Sequence, residues 1–223
     1  MRTPIVETPT VAIQGTAERF PVRRIYCVGL NYADHAREMG KDPERHPPFF
    51  FGKPADAVVA SASRLPYPVK TADFHHEVEM VIALGAGGAN LEAERALDLV
   101  YGYAVGIDLT RRDLQAEAKK LGRPWDMGKG FDHSAPVGPI TRGKPPSSGS
   151  IRLYVNEHVK QTGDLTHMIW GTAEIIAILS GFVTLGAGDL IFTGTPSGVG
   201  PIQRGDKLRR ELAGSEPIEV SFV

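Results

Sequence analysis

The sequence predicts a mostly β fold of the α+β class with a few short helices. Glycine and proline are frequent, 25 and 17 of 223 residues, and they divide the chain into short segments. Only a few stretches keep a helical pattern for long, whereas short strand-like runs are numerous. Because those runs do not alternate regularly with helices, a doubly wound parallel sheet is disfavoured.

The apolar and alternating runs predict seven main strands and two weaker ones. The main strands span residues 24–28, 57–60, 76–84, 101–108, 151–155, 189–193 and 217–222, and the weaker ones span residues 11–14 and 207–212.

Capping residues predict the helices. Asn31 is a candidate N-cap for a short helix that runs to Met39, before Gly40. Residues 110–113 (Thr-Arg-Arg-Asp) resemble a capping box that opens a helix ending near Lys119 and Lys120, with Gly122 beyond it. A third helix is predicted from Thr172, because the apolar residues after it form a stripe suited to core packing.

A polar, proline-broken stretch spans residues 37–54 and turns abruptly into three phenylalanines, Phe49 to Phe51. Two interpretations stay open. The stretch is either a flap that covers a pocket or an ordinary surface loop with an aromatic plug. Lys53, at its end, is either an amine that supports a site or a solvated loop charge.

Composition excludes several classes of protein. The content of hydrophobic residues, 42%, allows a sizeable core. A formal net charge of −1 gives no support to a partner such as nucleic acid or a membrane surface. The single cysteine, Cys27, excludes an internal disulfide and lies in a predicted buried strand. The first residues form no signal segment and no apolar run reaches membrane length, so we expect a cytoplasmic protein with no membrane contact.

Two glutamates, Glu77 and Glu79, lie in an otherwise apolar strand-like run. Side chains alternate along a strand, so this pair shares one face while Val78 and Met80 point the other way. Two neighbouring carboxylates repel each other and resist desolvation, which favours a bound cation. The alternative is a half-exposed strand with an acidic outer face. Asp108 offers a third donor at a strand end, and three hard oxygen donors suit Mg²⁺, Mn²⁺ or Ca²⁺ better than zinc.

Reactive groups are also present in the sequence. His35 and Glu38 are three residues apart in the predicted first helix, so a carboxylate can orient the imidazole as a general base for water. The alternative is a generic surface pair. Lys129 lies between two glycines near Trp125, and its ammonium could face a developing oxyanion or stay solvated.

The chain resembles the fumarylacetoacetate hydrolase superfamily from about Arg24 to the C-terminus. Six segments carry the resemblance, in order: residues 26–38 (YCVGLNYADHARE), 48–56 (PFFFGKPAD), 76–79 (HEVE), 106–115 (GIDLTRRDLQ), 129–132 (KGFD) and 188–200 (GDLIFTGTPSGVG). Within it, the Lys-Pro-Ala-Asp segment and residues 118–125 (AKKLGRPW) are most similar to fumarylpyruvate hydrolases of aromatic catabolism.

The resemblance implies a mixed β-sandwich roll, one catalytic domain over residues 21–223 after an N-terminal strand or extension over residues 1–20, and assembly as a homodimer. It implies Mg²⁺ or Mn²⁺ at Glu77, Glu79 and Asp108. It also implies that His35 and Glu38 activate water on a lid and that Lys129 lies beside the metal. The implied substrate-binding residues are Arg112, Gln115, Gly194 and Thr195. Leu30 stands where some relatives carry arginine, a departure that bears on carboxylate recognition.

The expected substrate is a small 2-oxo acid. For fumarylpyruvate, water activated by His35 attacks the distal carbonyl, and the carbon–carbon bond breaks to give fumarate and pyruvate. Within the superfamily, the alternatives are decarboxylation of oxaloacetate-like acids and isomerisation or hydration of dienoic acids. A divalent-ion-binding protein without catalysis and a structural dimerisation module are the alternatives from other classes.

Overall fold

The computed structural model describes residues 2–38, 40 and 46–223. This part of the chain contains eighteen strands and five short α-helices. The strands are β1 Thr10–Ala12, β2 Arg19–Pro21, β3 Arg24–Gly29, β4 Phe49–Lys53, β5 Val58–Val59, β6 Ser63–Leu65, β7 Phe74–His76, β8 Val78–Leu84, β9 Val100–Ile107, β10 Thr110–Arg111, β11 Ala135–Pro136, β12 Thr141–Arg142, β13 Ser150–Val155, β14 His158–Asp164, β15 Asp189–Phe192, β16 Gly200–Pro201, β17 Lys207–Leu212 and β18 Ile218–Phe222. The helices are α1 Ala33–Glu38, α2 Ala93–Ala96, α3 Arg112–Leu121, α4 Asp126–Lys129 and α5 Thr172–Ser180. Three 3₁₀ turns lie at Ala55–Ala57, Leu97–Leu99 and Leu165–His167.

Two large sheets organise the molecule. The six-stranded sheet has the order β12-β9-β8-β15-β3-β4, and the five-stranded sheet has the order β14-β13-β17-β18-β6. Each combines antiparallel pairs with one parallel pair, β15 with β3 and β18 with β6. Three small sheets complete the fold: β1-β2, β10-β7-β16 and β11-β5. The predicted mostly β, mixed fold with few short helices is therefore confirmed.

The six-stranded sheet is buried on both faces. Met80 and Ile82 of β8 belong to a core cluster that also contains Leu153 and Leu208 of the five-stranded sheet. Val81, on the opposite face of β8, belongs to a second cluster with β1, β2 and β3. This double covering explains why every residue of β8 is buried, and it places Glu79 in the interior of the protein.

All nine predicted strands have counterparts in the structure, with shifts at their ends. The predicted strand 76–84 is interrupted, because β7 ends at His76 and β8 begins at Val78. The predicted strand 57–60 is reduced to β5, two residues long. The predicted boundary near residue 20 stays a prediction.

Two predicted helix caps are wrong. Asn31 does not cap α1, because its side chain bonds instead to Trp170 and to the Thr193 carbonyl. Met39, the predicted end of that helix, lies outside the described residues. Thr110 belongs to β10, and the N-cap of α3 is Arg111, which makes no capping hydrogen bond with its side chain.

The other helix predictions are confirmed. Helix α3 ends at Leu121, and Gly122 takes the left-handed conformation with φ +63° that this C-cap requires. Helix α5 begins at Thr172 and buries Ile175, Ile176 and Leu179.

The aromatic segment after residue 46 is neither a flap nor a loop plug. Phe49–Lys53 forms β4, the edge strand of the six-stranded sheet, which pairs antiparallel with β3. Residues 41–45 of the predicted polar stretch lie outside the described part of the chain.

Candidate active site

Three carboxylates meet where β8 and β9 pair. In the antiparallel register Glu79 lies opposite Gly106, and the Asp108 amide donates to the Glu77 carbonyl at 2.8 Å. One carboxylate oxygen from each of Glu77, Glu79 and Asp108 lies within 4.8 Å of the other two. The three residues are only 5%, 2% and 0% exposed. The alternative of a half-exposed acidic strand face is therefore excluded.

Lys129 is buried among these carboxylates. Its Nζ donates to Glu77 Oε2, Asp108 Oδ2 and Thr110 Oγ1, each at 2.7 Å. Arg112 donates to the other oxygen of Glu77. Burial would raise the pKa of Glu77, but Lys129 and Arg112 outweigh it and hold that pKa well below the usual range. Glu77 is thus held ionised.

The Glu79 carboxylate accepts a hydrogen bond from a backbone amide, whereas Glu77 accepts from two cationic side chains. The Gly194 amide donates to Glu79 Oε2 at 2.6 Å. Burial, Asp108 and Glu77 nevertheless raise the pKa of the Glu79 carboxyl well above its ordinary value. Within the triad, Glu79 is therefore the carboxyl whose ionised form is least favoured without a bound cation.

The triad fits a divalent cation. Its donors are hard carboxylate oxygens, the type that Mg²⁺ and Mn²⁺ prefer. Asp108 Oδ1 is buried and, among the described residues, accepts no hydrogen bond of suitable angle. This oxygen lies 2.8 Å from Lys53 Nζ, and a carboxylate oxygen has a second lone pair that could bind a metal ion.

Lys53 is a functional candidate whose position the sequence left open. Its side chain is fully buried, and its Nζ lies 2.8 Å from Asp108 Oδ1. The same ammonium donates to the Leu109 carbonyl at 3.1 Å and to the Lys129 carbonyl. Lys53 is therefore a buried ion-pair partner at the floor of the site, and the interpretation as a solvated loop charge is wrong.

The helix α1 brings His35 and Glu38 to the same region. His35 Nδ1 lies 3.1 Å from Glu38 Oε2, and His35 is 5% exposed. The Gly198 amide donates to the two Glu38 oxygens at 3.1 and 3.2 Å. Glu38 is thus anchored to the loop after β15 while it orients the imidazole. A generic surface pair does not describe this buried histidine.

A single cavity of about 330 Å³ is lined both by His35 and by the three carboxylates of the triad. Its walls are formed by Val28, Gly29, Leu30, His35, Phe49, Phe51, Glu77, Glu79, Asp108, Arg112, Gln115, Lys119, Trp125, Lys129 and Thr195. Of the predicted substrate-binding residues, Arg112, Gln115 and Thr195 line the cavity. Gly194 is not a lining residue, and its amide donates to Glu79. Arg112 also donates to Gln115 Oε1 at 2.6 Å.

Several lining residues were not predicted as site residues. Phe49 and Phe51 come from β4, whose strand character the sequence did not indicate. Lys119 lies on the helix that carries Arg112 and Gln115. Its spacing of seven residues from Arg112 could have predicted that it shares their face of the helix. Leu30 lines the cavity with a positive φ of 56°, which is unusual for a leucine.

The fold and this cavity define the class of protein as an enzyme with a buried acidic centre. Residues 24–222 match the model of the fumarylacetoacetate (FAA) hydrolase C-terminal family. The chain belongs to the fumarylacetoacetate hydrolase family.

Relatives with different activities resemble this chain at comparable identity. A fumarylpyruvate hydrolase from Pseudomonas aeruginosa, solved in complex with Mn²⁺ and pyruvate, superposes with a TM-score of 0.96 at 47% identity, covering 100% of this chain and 99% of that one. The fumarylpyruvate hydrolase of a Ralstonia species is 41% identical over 78% of this chain and 91% of its own length. The oxaloacetate tautomerase of Escherichia coli is 39% identical over 87% of this chain and 90% of its own length.

In the described residues, no helix is both long and apolar enough to cross a membrane.

Proposed function

We propose that this protein is a metal-dependent acylpyruvate hydrolase that converts fumarylpyruvate to fumarate and pyruvate. The observation that carries the proposal is His35, which is buried in the wall of the same cavity as the acidic triad and has its Nδ1 3.1 Å from Glu38 Oε2. Hydrolysis needs a base for water, and this pair supplies one next to hard oxygen donors. The similarity over the whole chain to the Pseudomonas aeruginosa fumarylpyruvate hydrolase supports the same reaction.

Glu77, Glu79 and Asp108 would hold Mg²⁺ or Mn²⁺. When bound, such an ion polarises the carboxylate and keto oxygens of a 2-oxo acid. Arg112, Gln115 and Thr195 would orient the substrate from the cavity wall.

His35 would perform the proton transfers. With Nδ1 directed at Glu38, the other ring nitrogen takes a proton from water, and the water oxygen bonds to the distal carbonyl carbon. The bond between that carbon and the pyruvate methylene then breaks. Its electron pair stays with the pyruvate fragment, which takes up the proton. The water oxygen stays in the new carboxyl group of fumarate, which releases its remaining proton to solvent, and no oxidant is needed.

Lys129 would contribute through its charge. Its ammonium has three hydrogens, and Glu77, Asp108 and Thr110 accept three hydrogen bonds from it. The buried positive charge lies beside the reacting groups and stabilises developing negative charge there.

The Escherichia coli oxaloacetate tautomerase favours a second candidate, tautomerisation or decarboxylation of oxaloacetate. A steady-state assay of the Mn²⁺-loaded protein with fumarylpyruvate, acetylpyruvate and oxaloacetate separates the two. We expect the highest kcat/KM for fumarylpyruvate. A higher kcat/KM for oxaloacetate would replace the proposed reaction by the second candidate.

Glu79→Gln is expected to weaken Mn²⁺ binding by more than about tenfold, since even the loss of groups that only support metal ligands costs that much. The substitution keeps the shape of the side chain and an oxygen that can accept from Gly194. Isothermal titration calorimetry with Mn²⁺ measures the change, and the exposed Glu94→Gln on α2 is the matched control. Unchanged affinity in Glu79→Gln would remove Glu79 from the metal site.

Homodimeric assembly, a cytoplasmic location and a place in aromatic catabolism belong to the same proposal. They are supported by the sequence resemblance to the family.

A further inference from the structure

Strand β14 buries an amide side chain and exposes a valine. Gln161 is 1% exposed, whereas Val159 of the same strand is 53% exposed. Burying a side-chain amide costs free energy unless its donors and acceptor find partners in the interior. The hydrogen bonds of Gln161 therefore show what its burial achieves.

Two backbone groups fix the orientation of the Gln161 amide. Its Oε1 accepts from the Val78 amide at 3.0 Å, and a backbone N–H can only donate. Its Nε2 donates to the Pro196 carbonyl at 2.9 Å, and a carbonyl can only accept. His76 Nδ1 lies 3.0 Å from the same Oε1, so this ring nitrogen carries a proton and donates. The oxygen and the nitrogen of the amide are thus assigned without ambiguity.

The fixed amide in turn determines what the Thr195 hydroxyl can do. Gln161 Nε2 donates to Thr195 Oγ1 at 2.8 Å. Because an amide nitrogen cannot accept, the single proton of this hydroxyl points away from Gln161. Within the part of the chain that the structure describes, Thr195 Oγ1 donates to no protein group. Thr195 is 3% exposed and lines the cavity of the triad, so its proton is available to an acceptor bound there.

The same contacts hold this hydroxyl beside the acidic triad. Thr195 follows Gly194, whose amide donates to Glu79 Oε2 at 2.6 Å. Val78, which donates to Gln161, immediately precedes Glu79 on β8. Gln161 therefore ties the strand that carries Glu79 to the loop that carries Thr195, and it fixes the position of the hydroxyl relative to the proposed metal site.

We propose that Gln161 is a positioning residue that holds the Thr195 hydroxyl as a hydrogen-bond donor to the carboxylate of the 2-oxo acid. The inference rests on the proposed function and deepens it, because it names the group that prepares the site for that carboxylate. A carboxylate only accepts hydrogen bonds, and a hydroxyl whose acceptor side is already occupied is oriented for it before the substrate binds.

A double-mutant cycle on Gln161 and Thr195 tests this inference without cleavage. The probe is pyruvate, the product of the proposed reaction that keeps the 2-oxo acid, and its Kd is measured by isothermal titration calorimetry at saturating Mn²⁺. We expect Thr195→Val to weaken pyruvate binding by about tenfold, the typical effect of losing one hydrogen bond to a charged group. Gln161→Met should weaken it severalfold. The double variant should bind pyruvate as Thr195→Val does, because Gln161 acts through that hydroxyl.

Two further variants serve as controls. Thr195→Ser keeps a hydroxyl and should retain both the wild-type affinity and the effect of Gln161→Met. The exposed Gln203→Met is the matched substitution and should leave pyruvate binding unchanged. The inference is overturned if Gln161→Met binds pyruvate as the wild type does. It is also overturned if Gln161→Met weakens binding by the same factor in the wild type and in Thr195→Val, which is the result of a merely structural role.

A second measurement applies if Gln161→Met does not fold. The side-chain amide signals of Gln161 are then followed by NMR in Mg²⁺-loaded protein. They should shift on pyruvate binding in Thr195→Ser and stay in place in Thr195→Val, and equal shifts in both would overturn the inference. Cleavage of fumarylpyruvate by the wild type decides the proposed function separately. Coupling of Gln161 to Thr195 in a protein that does not cleave fumarylpyruvate would reject the function and retain the inference.

Discussion

His35→Ala is expected to lower kcat for fumarylpyruvate by about 10²- to 10⁴-fold, the usual contribution of a positioned general base. His35 is the histidine of the cavity wall, and its Nδ1 is directed at Glu38. Because His35 is not among the three carboxylate ligands proposed for the metal, Mn²⁺ affinity should stay at the wild-type value. Steady-state kinetics and Mn²⁺ titration of the same sample measure the two quantities.

Glu38→Gln separates the orienting role of Glu38 from its anchoring role. A glutamine oxygen can still accept from the Gly198 amide, so the contact between α1 and the loop after β15 is retained. The charge that supports the imidazole is lost, and we expect a fall in kcat smaller than that of His35→Ala. His158→Ala, an exposed histidine on β14, is the control. Turnover near the wild-type value in both His35→Ala and Glu38→Gln would reject the water-activating pair.

The part of the site that could be predicted from sequence is local. The alternation of Glu77 and Glu79 with apolar residues predicted that the two carboxylates share a face, and the structure confirms their proximity. Asp108 was predicted from its place at a strand end, where it indeed follows β9. Such patterns depend on the period of one strand and need no knowledge of its partners.

Non-local pairing explains what the sequence did not indicate. The polar strand β14 exposes most of its residues and exists because it pairs with β13. The edge strand β4 is a run of aromatic residues with no alternation, and its pairing with β3 decides its conformation. Lys53 could therefore not be placed, since its burial depends on the position of β4 relative to Asp108 and α4.

Lys53→Met is expected to lower the free energy of unfolding by about 3–5 kcal/mol, the usual cost of removing one partner of a buried ion pair. Lys53 and Asp108 are both buried and 2.8 Å apart. In this cluster Lys53, Lys129 and Arg112 face three carboxylates, so the substitution leaves the negative charges in excess. It also removes the donor to the carbonyls of Leu109 and Lys129. Urea unfolding in the presence of a chelator measures the loss without a contribution from bound metal.

The double variant Lys53→Met with Asp108→Asn identifies the cause of that loss. If the uncompensated charge of Asp108 dominates, neutralising it should recover part of the stability, because a buried amide costs less than a buried unpaired charge. If the lost carbonyl contacts dominate, the double variant should be at least as unstable as Lys53→Met. The exposed Lys207→Met on β17 is the control and should stay within about 0.5 kcal/mol of the wild type. A Lys53→Met protein as stable as that control would contradict the buried ion pair at the floor of the site.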